Sequence, residues 1–203
     1  DIMLLMIKNA SDLLSTTQWS ETIWSQTREE DLLDSRSSSR LCVAALLPFK
    51  DSQPDWGSFE RMLVWMHECA NHFGVEITFV LNADTGYVFN LSETMYEEVI
   101  KRFRSLYPNA SFLSGITAVG ADAENFDASC YHSHLDIVQK YDPCEVMIMT
   151  SQALNSLGSE KRRDAYFEIA EHIMVPALVH ALEPAFVPWA TPFDPWLLHQ
   201  LAA

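Results

Sequence analysis

The sequence predicts an α/β chain: a TIM-type (β/α)8 barrel of which about the first five βα units are present. Three observations predict it. Apolar runs start at Leu41, Val75, Ala110, Cys144 and Val175, so their starts fall 34, 35, 34 and 31 residues apart. Each run is short and apolar on both faces, as a buried parallel strand is. Between the runs, apolar residues recur at steps of three and four, the spacing of one helix face.

The elements follow in order. The first run, Leu41–Leu47, reads as a strand. Trp56, Phe59, Leu63, Met66, Ala70 and Phe73 then form one helical stripe, with Asp55 as N-cap and Gly74 as the stop. Val75–Leu81 is the second strand. Tyr96, Val99, Ile100, Phe103 and Leu106 make the next helix, capped by Ser92 and ended before Pro108. Ala110–Ile116 is the third strand, followed by a helix carrying Tyr131, Leu135 and Val138. Cys144–Thr150 is the fourth, followed by Tyr166, Ile169, Ala170 and Ile173. Val175–Leu182 is the fifth, and Asp194-Pro195 opens a last helix with a cap and a proline at the first helical position. A period near 34 also occurs in helical repeats, but every unit here contains a strand-like run in place of a second helix.

Two architectures accommodate this order: an open doubly wound sheet and a barrel. The open sheet usually carries a glycine-rich first turn. Here that turn is Leu47-Pro48-Phe49-Lys50-Asp51, and no G-x-G-x-x-G or G-K-[ST] occurs, which favours the barrel. A complete barrel takes ~250 residues. Residues 41–203 are enough for about five units. The chain is therefore expected to be part of a longer product, or to have its open strand edges covered by residues 1–40 or by another chain. The start at Asp1 raises the same expectation of processing or of a fragment.

Residues 1–40 read as a separate polar arm. Ser35–Arg40 is a linker, and Leu13, Leu14, Trp19, Ile23 and Trp24 form either short docking helices or a poorly ordered segment. The barrel domain is then residues 41–203.

Composition narrows the function. The chain is 48% hydrophobic and 20% charged, a globular balance. Its 13 basic and 28 acidic residues give a net charge of −15, which repels nucleic-acid backbones and anionic membrane surfaces alike. Expected partners are small molecules and other protein chains. Cys42, Cys69, Cys130 and Cys144 lack metal or disulfide spacing, which predicts reduced thiols and a cytoplasmic setting. No cofactor and no metal site is expected.

In either parallel architecture the site forms at the C-terminal ends of the strands. The candidate substrate-binding residues are Asp84, Thr85, Tyr87 and Ser151, and the candidate catalytic residue is His180. Asp84 and Thr85 are also ordinary turn residues, and Gly86 gives that turn backbone freedom. Tyr87 either points into the site or packs under the next loop. His180, inside an apolar strand, is either an acid/base group or a hydrogen-bonded core histidine, with Glu183 as a possible pair. Thr150 and Ser151 either donate to a ligand or satisfy backbone at the loop start. His132 and His134 lie at i and i+2 of a helix, pointing to different sides, so no metal is expected there.

The residues at these strand ends resemble the dihydrodipicolinate synthase / N-acetylneuraminate lyase family. Ala44-Ala45-Leu46-Leu47-Pro48-Phe49-Lys50, followed by Asp55 and Phe59, looks like the family's opening. Ala83-Asp84-Thr85-Gly86-Tyr87 is similar to its Gly-Thr-Thr-Gly-Glu turn, again followed by Leu91-Ser92 and a helix. Ser114-Gly115-Ile116 and Glu145–Thr150 sit at the family's spacing. The likeness covers about residues 41–203, the N-terminal five-eighths of that barrel.

The resemblance implies an oligomeric barrel that makes or cleaves a carbon–carbon bond of pyruvate or a related 2-keto acid. It implies a sixth-strand lysine forming a Schiff base, a fifth-strand tyrosine relaying protons, and a threonine pair holding the substrate carboxylate. This sequence departs from that pattern. It has no sixth strand, and its lysines are Lys8, Lys50, Lys101, Lys140 and Lys161, of which only Lys50 lies near a strand end. His180 takes the tyrosine position when Pro176 is aligned with the proline that opens the strand. Asp84 replaces the first threonine, Leu47 replaces the threonine before Pro48, and Ser151-Gln152-Ala153 replaces a tyrosine pair. The expectation is a divergent aldolase-type lyase or synthase acting on a 2-keto acid, with this chain alone inactive for lack of the lysine. The rival is a non-catalytic binding or assembly module derived from the barrel. A homo-oligomer is expected in either case.

Overall fold

The structure is a computed structural model that describes residues 41–120, 124–182, 184 and 188–202. The chain divides into two units, Asp1–Arg40 and Leu41–Ala203. The expected arm, with Leu13, Leu14, Trp19, Ile23 and Trp24, lies outside the described residues, as does Glu183.

The second unit carries strands β1 (Leu41–Ala44), β2 (Phe49–Lys50), β3 (Gln53–Pro54), β4 (Ile77–Leu81), β5 (Phe112–Ile116), β6 (Glu145–Met149) and β7 (Ala177–His180). Its helices are α1 (Trp56–Phe73), α2 (Glu93–Leu106), α3 (His132–Val138), α4 (Gln152–Ser156), α5 (Ser159–Ala170) and α6 (Pro195–Ala202). Five strands form one sheet in the order β1-β4-β5-β6-β7, every pair parallel. That order is the chain order. A doubly wound sheet reverses direction at a switch point, so the sequential order excludes it and fits part of a (β/α) barrel.

The helix boundaries follow local chemistry. The Asp55 carboxylate accepts from the Ser58 main-chain N–H at 3.0 Å and from the Ser58 hydroxyl at 2.7 Å. These bonds hold its carboxyl below the usual range. Gly74 ends α1 in the left-handed region, at φ 64°. Ser92 Oγ accepts from Met95 N at 3.3 Å to start α2. Asp194 accepts from Leu197 N at 2.8 Å to start α6.

One face of the sheet packs on α2. Phe103 of α2 meets Phe79 of β4 at 5.0 Å and Phe112 of β5 at 5.4 Å between ring centroids. Burying each such side chain contributes roughly 1.5–3 kcal/mol. Side chains alternate along a strand, and register partners in a parallel pair share a face. Ser114 and Val146 are register partners, as are Met149 and His180. His180 therefore points to the face opposite α2.

Three expectations need correction. The strands are shorter than the apolar runs; Ala45 and Leu47 are buried beyond the end of β1, in the connection to the β2–β3 hairpin. The outer strands are not buried on both faces. Leu41 is 52% exposed, and none of β7 is fully buried, because among the described residues each has a strand neighbour on one side only. Phe73 and Leu106, expected on helix faces, are exposed at the last residues of α1 and α2.

Candidate functional site at the strand ends

The turn after β4 is fixed by its backbone conformation and its hydrogen bonds. Asn82 leaves the strand in the left-handed region, at φ 50°, and Tyr87 closes the turn at φ 58°. Gly86 N donates to Ala83 O at 3.0 Å, Tyr87 N to Asp84 O at 3.0 Å, and Val88 N to Ala83 O at 3.1 Å. Asn82 is buried, and its amide nitrogen donates to Tyr96 O at 3.2 Å and to Ser114 Oγ at 3.3 Å. The turn is thus anchored from below, and Asp84 and Thr85 stand on top of it.

Asp84 and His180 come from opposite ends of the β4-β5-β6-β7 array, and the Asp84 carboxylate acts on the His180 ring. Burial lowers the His180 pKa from its ordinary value, and the Asp84 charge opposes that effect. Burial dominates, so the imidazole is neutral at pH 7. Its Nδ1 is buried without a hydrogen-bond partner among the described residues. A neutral imidazole beside a carboxylate is a competent proton acceptor.

The other candidates are more engaged in structure. The Thr85 hydroxyl donates to Ala45 O at 3.4 Å, tying the β4 turn to the end of β1. Tyr87 turns toward the β2–β3 hairpin, its ring edge-on to Phe49 at 5.2 Å, and stays 45% exposed. Ser151 Oγ accepts from Leu154 N at 3.2 Å and caps α4. Thr150 is buried and receives a hydrogen bond from the Asn155 amide. His134 stacks on Tyr96 and His132 packs on His172, so the two rings point to different neighbours. Among the described residues, no group of three or more His, Cys, Asp or Glu is placed to hold a metal.

Two sets of residues have roles that reading the sequence did not assign. Asn82 is one; asparagine directly after an apolar strand is a signal, since it tolerates the left-handed region. Asn155 and Arg162 are the other. Asn155 donates to Ser151 O at 3.0 Å and accepts from Thr191 N at 3.2 Å. Buried Arg162 donates to Asn155 O at 2.7 Å, Leu157 O at 3.3 Å and Thr191 O at 3.4 Å. Together they bind the β6 loop to the segment that follows β7. Nothing local in the sequence marks that long-range contact.

No protein-family model matches this sequence, and no curated protein matches it. Solved structures do. A dihydrodipicolinate synthase is 18% identical with a TM-score of 0.62, the match covering 80% of this chain and 51% of that one. The enzyme from Oceanobacillus iheyensis is 16% identical with a TM-score of 0.63, over 84% of this chain and 51% of that one. A prophage protein of E. coli K12 from the dihydrodipicolinic acid synthase family, solved in complex with pyruvate, is 12% identical with a TM-score of 0.63, over 80% and 50%. The chain spans about half the length of the solved structures it matches. At these identities the likeness shows the fold: a parallel, sequentially ordered part-barrel like that of the dihydrodipicolinate synthases.

Proposed function

We propose that the strand-end cluster of Asp84, Thr85, Ser151 and His180 is the pocket of an aldolase-type carbon–carbon lyase or synthase, and that it binds a small 2-keto acid. The observation that carries this reading is a part-barrel fold like that of the dihydrodipicolinate synthases, with Asp84 in the turn after β4 and His180 at the end of β7, close enough for the carboxylate charge to be felt at the ring. His180 acts as the proton acceptor. Thr85 and the main-chain donors of its turn contact the ligand's oxygens, as such donors do at developing negative charge. The Asp84 carboxylate disfavours a ligand carboxylate beside it, so the ligand's carboxylate lies away from that side chain.

Schiff-base chemistry needs an amine on the sheet. Among the described residues, Lys50 lies on the hairpin, Lys101 on α2, Lys140 after α3 and Lys161 on α5, none on the parallel sheet. On this reading the described residues bind a 2-keto acid without turning it over. We place the protein in the cytoplasm as a homo-oligomer. No helix among the described residues is long and apolar enough to cross a membrane.

The test is titration of the chain with pyruvate and 2-ketobutyrate, followed by NMR chemical shifts, with borohydride trapping and intact mass in parallel. Saturable shifts that disappear in His180→Ala, with no borohydride-stable adduct, are expected. A folded chain that responds to neither acid overturns the pocket. A trapped adduct overturns the passive role.

A second reading, a non-catalytic assembly module, is favoured by the β1 edge. There Leu41 and Cys42 are exposed and β4 is the only strand partner among the described residues. Concentration-dependent self-association without any 2-keto acid response supports that reading over the first.

A further inference from the structure

We propose that Asn82 is the positioning residue of this strand-end turn: its buried side chain and left-handed backbone hold the turn that carries Asp84 and Thr85. The inference rests on the reading of that turn as part of the pocket, but its test needs neither ligand nor turnover.

Four observations converge on Asn82. Its side chain is 1% exposed, yet it is polar, and its amide nitrogen holds two partners on two different elements, Tyr96 on α2 and Ser114 on β5. Its backbone sits at φ 50°, in the left-handed region that asparagine tolerates better than most L residues. Its main-chain oxygen lies over Gly115, where a Cβ would come within 2.3 Å. Its Cα and N lie under Gly86, where a Cβ would come within 3.2 Å of each. Two glycines thus make room for one asparagine, on the strand beside it and in the turn above it.

The partners are themselves fixed. Tyr96 Oη donates to Gly115 O at 2.9 Å and shares a hydrogen bond with Ser114 Oγ at 3.1 Å. Its ring is stacked on His134 at 3.9 Å with 6° between the planes. These groups form one hydrogen-bonded and stacked cluster, and Asn82 is the link between it and the Asp84 turn, two residues away. The Asn82 Oδ1 is buried without a hydrogen-bond partner among the described residues, so the side chain is held by its two amide donations. Holding a reacting group within a fraction of an ångström is what such supporting contacts supply.

The readout is the NMR titration midpoint of the His180 ring, which senses where Asp84 stands. Asp84→Asn removes the charge and is expected to move the midpoint down. Asn82→Ala loses both the anchor and the tolerance for left-handed backbone, and is expected to move the midpoint most of the way to the Asp84→Asn value. Asn82→Gly keeps the backbone conformation and loses only the anchor, and is expected to fall between. An Asn82→Ala chain that melts cooperatively and keeps the unsubstituted midpoint overturns the proposal. Should Asn82→Ala not fold, Asn82→Gly decides: a shift toward the Asp84→Asn value supports the proposal and an unchanged midpoint overturns it. An Asp84→Asn chain with an unmoved midpoint also overturns it. A chain that follows the expected order but binds no 2-keto acid keeps this inference and loses the functional reading; a chain that binds while Asn82→Ala leaves His180 unmoved does the reverse.

Discussion

The main-chain oxygen of Asn82 lies 2.3 Å from the point that a Cβ on Gly115 would occupy. Gly115 is an interior residue of a fully buried strand, paired on both sides, with a methionine side chain, Met149, also within 3.2 Å of that point. The nearest obstacle is main chain, so no side-chain rotation relieves it.

Gly115→Ala is therefore expected to destabilise the fold by about 2–3 kcal/mol, the upper part of the range for overpacking a core. Gly158→Ala is the control. Nothing lies within 4 Å of its Cβ position, and its φ of −65° suits any residue. Glycine is a better N-cap than alanine, so a loss of about 0.5–1 kcal/mol is expected, well below that of Gly115→Ala. Urea unfolding of both variants checks the pair; equal effects would refute the close approach.

Ser92→Ala tests the start of α2. Its hydroxyl satisfies the Met95 N–H, which otherwise has no helical partner. Loss of about 1 kcal/mol is expected in urea unfolding. Thr at the same position is expected to restore most of it, because its hydroxyl can accept the same bond.

The contrast between Ser92 and Ser151 shows what was legible. Both serines cap helices, but Ser92 precedes a long helix whose apolar spacing announces it, whereas Ser151 precedes the five-residue α4, too short to carry a period. Ser151 therefore reads as a free strand-end hydroxyl until the helix is seen. The same distinction holds elsewhere. Asp55, Gly74 and Asp194 act within a few residues of themselves, and their roles could be read directly. The β2–β3 hairpin could not: its turn residues, Asp51 and Ser52, sit at φ 50° and 62° without a glycine or asparagine to signal it. The placement of Asp84 and His180 at the same end of one sheet depends on strand order. The 34-residue rhythm implied that order only for a barrel.

Arg162 tests the link between the β6 loop and the segment after β7. Its guanidinium donates to carbonyls of Asn155, Leu157 and Thr191. Hydrogen bonds to a charged group are worth about 1.5–3 kcal/mol, and here the acceptors would be left without their donor. Arg162→Ala is expected to lose about 3 kcal/mol of stability. Arg162→Lys should recover less than half, since a single ammonium cannot reproduce the fork. Full recovery by lysine, measured by urea unfolding, would show that charge and not geometry holds the loops.

His134 gives the fold a pH dependence with a definite sign. Burial lowers its pKa from 6.5 to about 4, the Glu93 charge opposing. The hydrogen-bond pattern points the same way. Thr117 N donates to His134 Nδ1 at 3.4 Å, so the neutral ring accepts there and carries its proton on Nε2. Protonating Nδ1 would set two donors face to face. In the unfolded chain the ring titrates at its ordinary 6.5. Between that value and about 4 the unfolded state binds more protons than the native state, so stability rises with pH across this window. It is fully present above 6.5 and is lost as pH falls toward 4. The loss is on the order of 2–3 kcal/mol for a buried ring. His180 adds to the slope in the same direction, since burial lowers it too. The two are separated by difference. His134→Phe keeps a ring against Tyr96 and removes the titration. Urea unfolding at steps from pH 7 to pH 4.5 is expected to show a shallower decline in that variant than in the unsubstituted chain. Parallel declines would mean that His134 is not held neutral by the fold.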